Sequence, residues 1–241
     1  MNILKKILLC SSGIWINSLD SKTIFYHDVA KDITYTDMTI SLQLFQKHLE
    51  VIARRGFHVV TEISNAEREI QICFDDGFRG IWDCRDYILQ QNWRPTVFIA
   101  VDLIGQPGYL TKDEILSLSA NGVLFQSHTW SHNVLTDFHG KELEHEIKDS
   151  KTYLENMLGT SINELCFPRG IFSDEVLRCC QESGYTKLYS SIPGNYFDPV
   201  FPQVIRRNLV QFYSPSEVSS VIKGGLGMFD GRYKKLHYHQ S

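Results

Sequence analysis

At 241 residues the chain is long for one domain and short for two. Its 43% hydrophobic and 22% charged residues suit a packed core and exclude a disordered chain. A net charge of −4 offers no general basic face for phosphates, so no nucleic-acid partner is expected.

The first residues, MNILKKILLCSSGIWINSL, place lysines before an apolar stretch, as signal peptides do. Ser11, Ser12 and Gly13 interrupt that stretch, and no small-x-small cleavage site follows. We read residues 1–21 as an N-terminal segment forming a short helix ahead of a single domain over 22–241. Ile7, Leu8, Leu9, Ile14 and Trp15 offer peripheral membrane contact, the less favoured use of this segment. The apolar run is too short to span a bilayer, which takes about 20 residues. Cys10, Cys73, Cys84, Cys166, Cys179 and Cys180 show no CxxC spacing. Reduced thiols and a cytoplasmic location are the simpler expectation, with an exported, bridged protein as the rival.

From Ile24 onward strands alternate with helices. Ile24–Val29 reads as a strand, and Ser41 caps a helix in which Leu42, Phe45, Leu49 and Ile52 recur at helical spacing. His58–Val60 and Glu69–Phe74 read as strands, then Trp82–Gln91 as a helix and Thr96–Val101 as a strand. Thr111 and Glu114 form a capping box, and Val123–Ser127 is the next strand. A long helix over Lys141–Leu158, a strand at Leu165–Phe167, a helix capped by Ser173 and a strand at Thr186–Ser190 follow. Ser214, Pro215 and Glu217 open a last helix. Such alternation predicts parallel strands wrapped by helices, either a doubly wound sheet or a (β/α) barrel.

Three polar clusters, Asp75-Asp76, His128 and Pro168-Arg169, each follow a strand, where sites gather in both architectures. Asp75-Asp76-Gly77 puts two carboxylates side by side, a conflict that a bound cation relieves. Taken alone, the same residues also suit a plain strand-end turn. His128 and His132, four apart, would share one face of a helical turn and reach a single ion, or simply be two exposed histidines. Thr129 stands where a zincin would have its Glu, so a zincin protease is not supported. One Asp with two His is the donor set of an open catalytic metal site.

Phe74-Asp75-Asp76-Gly77, Ser127-His128-Thr129-Trp130-Ser131-His132 and Cys166-Phe167-Pro168-Arg169-Gly170 together resemble the polysaccharide deacetylase (NodB-homology, carbohydrate esterase family 4) group. Arg94–Ile99 is similar to that family's next strand, and the likeness runs over roughly residues 22–210 in the family's order. The resemblance implies an α/β fold, an irregular (β/α) barrel of about seven strands. It implies a divalent metal, most often zinc, on Asp76, His128 and His132, with Asp75 as general base. The implied reaction is hydrolysis of N-acetyl groups on amino sugars of a cell-surface polysaccharide or a lipid-linked oligosaccharide precursor. O-acetyl esterase activity and non-catalytic glycan binding are the alternatives.

The chain departs from the family pattern in two places. The usual acid histidine sits in a Leu-x-His motif on a strand near the C-terminus, whereas Leu236, His237 and His239 read as a polar tail. Phe25-Tyr26-His27-Asp28-Val29 resembles the first strand of circularly permuted members, and on that basis His27 is assigned as the acid, with Asp28 as a candidate orienter. Many members carry an arginine before the proline of the third motif, but here Arg169 follows Pro168. Arg169 is expected to reach Asp75 from the far side of the turn, or to contact an anionic substrate. Arg206 and Arg207 read first as surface charge, and second as a substitute tether. Trp130 is expected to pack under the site, with a sugar platform as its alternative.

Overall fold

The computed structural model describes residues 17–239, so the helix expected over residues 1–21, its membrane contact and Cys10 fall wholly or largely outside the described residues. The chain opens with β1 (Lys22–Tyr26), β2 (Asp28–Ala30) and β3 (Thr39–Ser41), then β4 (His58–Val60), β5 (Glu69–Phe74) and β6 (Thr96–Ile99). It continues through β7 (Leu124–Ser127), β8 (Glu164–Cys166), β9 (Phe172–Ser173) and β10 (Lys187–Tyr189) to β11 (Val204–Ile205), β12 (Arg207–Leu209) and β13 (Tyr238–His239).

The central sheet is parallel and runs β11-β10-β8-β7-β6-β5-β1-β12. β1 covers one edge of β5 over its length, so β4 and β6 divide the other edge, the first half to β4 and the last residues to β6. Only Arg206 separates β11 from β12, although they stand at opposite ends of the path. One extended segment therefore pairs with β10 at its start and β1 at its end, and the sheet returns on itself. Counting that segment once gives seven staves, the irregular barrel expected.

Alternation along each stave sorts the side chains. Ile24, Tyr26, Ile70, Ile72, Phe74, Val97 and Leu165 face outward into the main core under the helices. Phe25, Cys73, Phe98, Cys166, Tyr189 and Ile205 face inward and fill the middle of the barrel. Below them is a polar layer: Thr23 Oγ1 donates to Gln71 Oε1, Gln71 Nε2 to Thr96 Oγ1, and Lys187 Nζ to Glu164 Oε1. Continued upward, the same parity puts His27, Asp75 and His128 at the mouth.

The caps stand where the sequence puts them. Ser41 accepts from Leu44 N, Ser173 from Val176 N, and both capping boxes (Thr111 with Glu114, Ser214 with Glu217) are complete. The five described cysteines are free and buried. Three elements differ from expectation. The strand over Ile24–Val29 breaks at His27, whose N–H donates to the Gln211 side chain instead of a neighbouring strand, and β2 then pairs with β3. The helix after β5 breaks at Cys84 into Gly80–Asp83 and Arg85–Leu89. The long helix carries a π turn, His145–Asp149, between Gly140–Glu144 and Ser150–Leu158.

Asp28, after the break, is fully buried and points away from the barrel mouth. Thr39 Oγ1 donates to its Oδ2, while Oδ1 has no hydrogen bond of good geometry, although the backbone N–H groups of Val29, Gly80 and Tyr35 lie near the carboxylate. Burial pushes its carboxyl up to about 6, against the pull of that hydrogen bond. The folded chain thus holds a proton that the unfolded chain, near 3.8, releases. The stability this contributes is present below the unfolded value and is lost as pH rises through about 6. Asp28→Asn should therefore gain on the parent protein between pH 4 and pH 7, by roughly 1–3 kcal/mol in urea unfolding. A stability difference independent of pH would refute the assignment.

Candidate active site

β5 ends at Phe74, and the chain turns through Asp76 and Gly77 at φ 71° and 79°. Glycine adopts that conformation freely, but Asp76 does so at a cost. The turn separates the two carboxylates, so that Asp75 faces into the barrel and Asp76 faces the loop after β7. They are 3% and 4% exposed, so each needs its own countercharge.

Arg207 supplies it for Asp75. Its Nη1 donates to Asp75 Oδ1 at 2.7 Å and its Nη2 to Oδ2 at 2.9 Å, a two-pronged pair inside the barrel. The guanidinium lies 4.1 Å from the centre of the Phe25 ring, with Phe98 and Tyr189 beside it. Nη2 also lies 2.8 Å from Cys166 Sγ. Burial pushes the Asp75 carboxyl up, but the guanidinium outweighs it and holds the group below the usual carboxylate range. The reading of Arg207 as surface charge is thereby overturned. So is that of Arg206, which is 4% exposed, ion-pairs with Asp230 and donates to the carbonyls of Pro193 and Asp198. Arg169 makes no contact with Asp75: the place it was expected to fill belongs to Arg207. It lines the cavity at the barrel mouth instead, at φ 56°.

Asp76 meets the two histidines. Its Oδ1 lies 3.2 Å from His128 Nε2 and 2.9 Å from His132 Nε2. The three donor atoms fall within 4.8 Å of one another. His128 Nδ1 sits 2.7 Å from the carbonyl oxygen of Cys166, which can only accept. The proton is thus on Nδ1, and the Nε2 lone pair faces Asp76. Burial pushes Asp76 up, but the two imidazoles outweigh it and hold it well below the carboxylate range; burial lowers His132, but Asp76 outweighs that and raises it above its usual value. Asp76 Oδ1 is buried without a hydrogen bond of good geometry. A buried, under-satisfied carboxylate oxygen between two imidazole nitrogens, that of His128 presenting its lone pair, is a donor set that fits a divalent cation.

The histidine pair does not sit on a helical turn, as the spacing suggested. Residues 128–134 form a loop, with Thr129 and His132 at φ 73° and 65°. Glu146 in the π turn holds it, accepting from the N–H groups of Trp130 and Ser131 at 3.2 and 2.9 Å. Trp130 packs against His145 and Tyr153 and is not among the residues that line the cavity.

His27 lines the same cavity as Asp75, Asp76, His128 and His132. Gln211 Oε1 accepts from His27 N at 2.9 Å and lies 2.7 Å from Nδ1. An amide atom that accepts from a backbone N–H is oxygen, so Nδ1 carries the hydrogen and Nε2 is left for the cavity. Gln211, not Asp28, orients the ring. The C-terminal histidines are not in a loose polar tail: Asp230–His237 is a helix, β13 pairs with β9, and His237 also lines the cavity.

The family model for polysaccharide deacetylases matches residues 62–188. The chain belongs to the polysaccharide deacetylase family. The fold is similar to that of the deacetylase PplD of Streptococcus pyogenes, solved in complex with acetate (TM-score 0.73, 17% identity, 84% of this chain and 98% of that one). It is equally similar to IcaB of Ammonifex degensii (TM-score 0.74, 16% identity, 86% and 99%). YxkH of Bacillus subtilis (strain 168), named for the same family, is 21% identical over 182 residues. That match covers 71% of this chain and 64% of YxkH, so the chain spans less than two thirds of its curated relative.

Within this family fold, the residues that sequence reasoning missed are Gln211, Glu146 and the Cys166 carbonyl, and it underrated Arg207. Arg207→Met should cost about 3–5 kcal/mol in urea unfolding, because it strands a buried carboxylate. Arg169→Ala, which breaks no ion pair, should cost less than about 1 kcal/mol. Similar costs for the two variants would deny Arg207 its tethering role.

Proposed function

We propose that the chain is a zinc-dependent deacetylase that hydrolyses N-acetyl groups of amino sugars in a cell-surface polysaccharide or its precursor. One observation carries the reading: Asp75 is held apart from a three-donor cluster of Asp76, His128 and His132, and His27 opens onto the same cavity. One carboxylate with two imidazoles suits zinc with an open position. A cation there would polarise the acetyl carbonyl and make bound water more acidic.

The chain's own groups supply the rest. Asp75, ionised and fixed by Arg207, accepts the proton of the attacking water as its oxygen bonds to the acetyl carbon. Arg207 keeps that carboxylate in one orientation while the proton moves. His27, its Nδ1 held by Gln211, delivers a proton from Nε2 to the sugar nitrogen as the C–N bond breaks. Acetate and the free amine leave. The acid is what an amide demands, since an amine leaves poorly without protonation, whereas an ester needs it less.

Metal analysis should find about one zinc per chain, and His128→Ala should lose most of it; equal metal in both proteins would remove the cluster from the mechanism. Asp75→Asn should keep the metal while acetate release falls about 10²- to 10⁴-fold. Loss of metal in that variant would exchange the roles of the two aspartates. His27→Ala should lower release from an N-acetyl amino sugar at least about 10²-fold, yet lower cleavage of an activated phenyl ester less than about tenfold. Equal losses on both substrates would take the acid role from His27 and turn attention to His237.

A further inference from the structure

The cavity has two kinds of wall. Around the reacting groups it is polar, but Met38, Leu209, Phe212, Leu226, Phe229 and Leu236 line the remainder. Its volume, about 860 Å³, is near the upper end of the roughly 300–1,000 Å³ usual for small-molecule sites. Phe212 and Leu236, both in the cavity lining, are 57% and 53% exposed. Large apolar side chains gathered at one mouth mark a binding surface, unlike ones scattered singly. Aromatic rings alone would suit the faces of sugars. Three leucines and a methionine do not, because sugar hydroxyls pressed onto them would lose water without gaining a partner.

Two cations share this cavity. Arg169 and Arg232 line it, and neither guanidinium has an ion-pair or hydrogen-bond partner among the described residues. Arg169 stands in the left-handed region beside Gly170 and lines the same cavity as Asp76, His128 and His132. A non-glycine residue held in that conformation, with an unpaired charge directed at a cavity, fits an anionic ligand.

We propose that the substrate is an acetamido sugar joined through a phosphate to a long apolar chain. The chain lies on the leucine and phenylalanine wall, the phosphate faces Arg169 and Arg232, and the acetamido group reaches Asp75 and Asp76. This rests on the deacetylase reading and chooses, within it, a lipid-carried precursor over a finished polymer.

Binding of dodecyl phosphate below its critical micelle concentration, followed by calorimetry on the full chain, tests the cavity without reference to turnover. Each buried methylene raises affinity about fourfold, so dodecyl phosphate should bind well over tenfold more tightly than butyl phosphate. It should also bind at least tenfold more tightly than dodecyl maltoside, which has the chain but no charge. Leu236→Asp should abolish the dependence on chain length, and Arg169→Gln should weaken the preference for phosphate, each with the zinc content unchanged. In parallel, acetate release is compared between an alkyl-phosphate-linked N-acetylglucosamine and a soluble N-acetylglucosamine oligomer, with kcat/KM higher on the first. Equal, weak binding of butyl and dodecyl phosphate overturns the proposal, as does a tenfold preference for the soluble oligomer. A dimer that Leu236→Asp dissociates, without dodecyl phosphate binding, overturns it in favour of a second copy of the chain. Tight dodecyl phosphate binding with acetate released from neither substrate supports the amphiphile site and overturns the deacetylase reading instead.

Discussion

A guanidinium buried inside a barrel is the constraint on which the site depends. Arg207 has no exposed surface, and taking such a charge from water costs more than one ordinary hydrogen bond returns. Both prongs meet Asp75, and the flat faces of the cation meet Phe25, Phe98 and Tyr189. β12 carries the cation, the end of β5 carries the anion, and β1 lies between them. The pair therefore ties the closing segment of the barrel to the strand that presents both carboxylates. Closure of the sheet and orientation of Asp75 become one event.

With Asp75 neutralised from within, Asp76 is free to face the histidines. Two adjacent carboxylates would otherwise raise each other's pKa. Each instead has a cationic or polarised partner on its own side, and both are driven toward the ionised form. The separation relies on unusual backbone, since Asp76, His132 and Arg169 hold positive φ around one cavity and Thr129 does so in the histidine loop. Such residues cost about 1–3 kcal/mol each, and persist only where surrounding contacts over-determine them. Glu146, accepting from two N–H groups of the histidine loop, is one such contact.

The legible parts of this structure are local. The capping boxes, the alternating staves and the Asp75-Asp76-Gly77 and His128–His132 clusters each announce themselves within a few residues. What escaped is held by distant partners: Arg207 lies 132 positions from Asp75, and Gln211 lies 184 from His27. Arg207 was nonetheless half visible. In an extended run of Val204-Ile205-Arg206-Arg207, adjacent side chains face opposite ways, so one arginine had to point inward unless the strand stopped. Four-residue histidine spacing, by contrast, misled, because a loop with two left-handed residues brings the rings as close as a helix does.

The C-terminal helix shows why composition is a poor guide to burial at the edge of a site. Asp230–His237 reads as charged and polar, yet it presents Tyr233, Leu236 and His237 to the cavity. Arg206, the single residue between the two closing strands, pairs with Asp230 at the start of this helix. β13 then pairs with β9, just past the Arg169 turn. The segment is fastened at both ends to parts of the barrel that also build the site: the closing strands beside Arg207, and the turn that carries Arg169. A change in the tail therefore acts on the cavity wall directly, and the barrel mouth includes residues far beyond the last of the three sequence motifs.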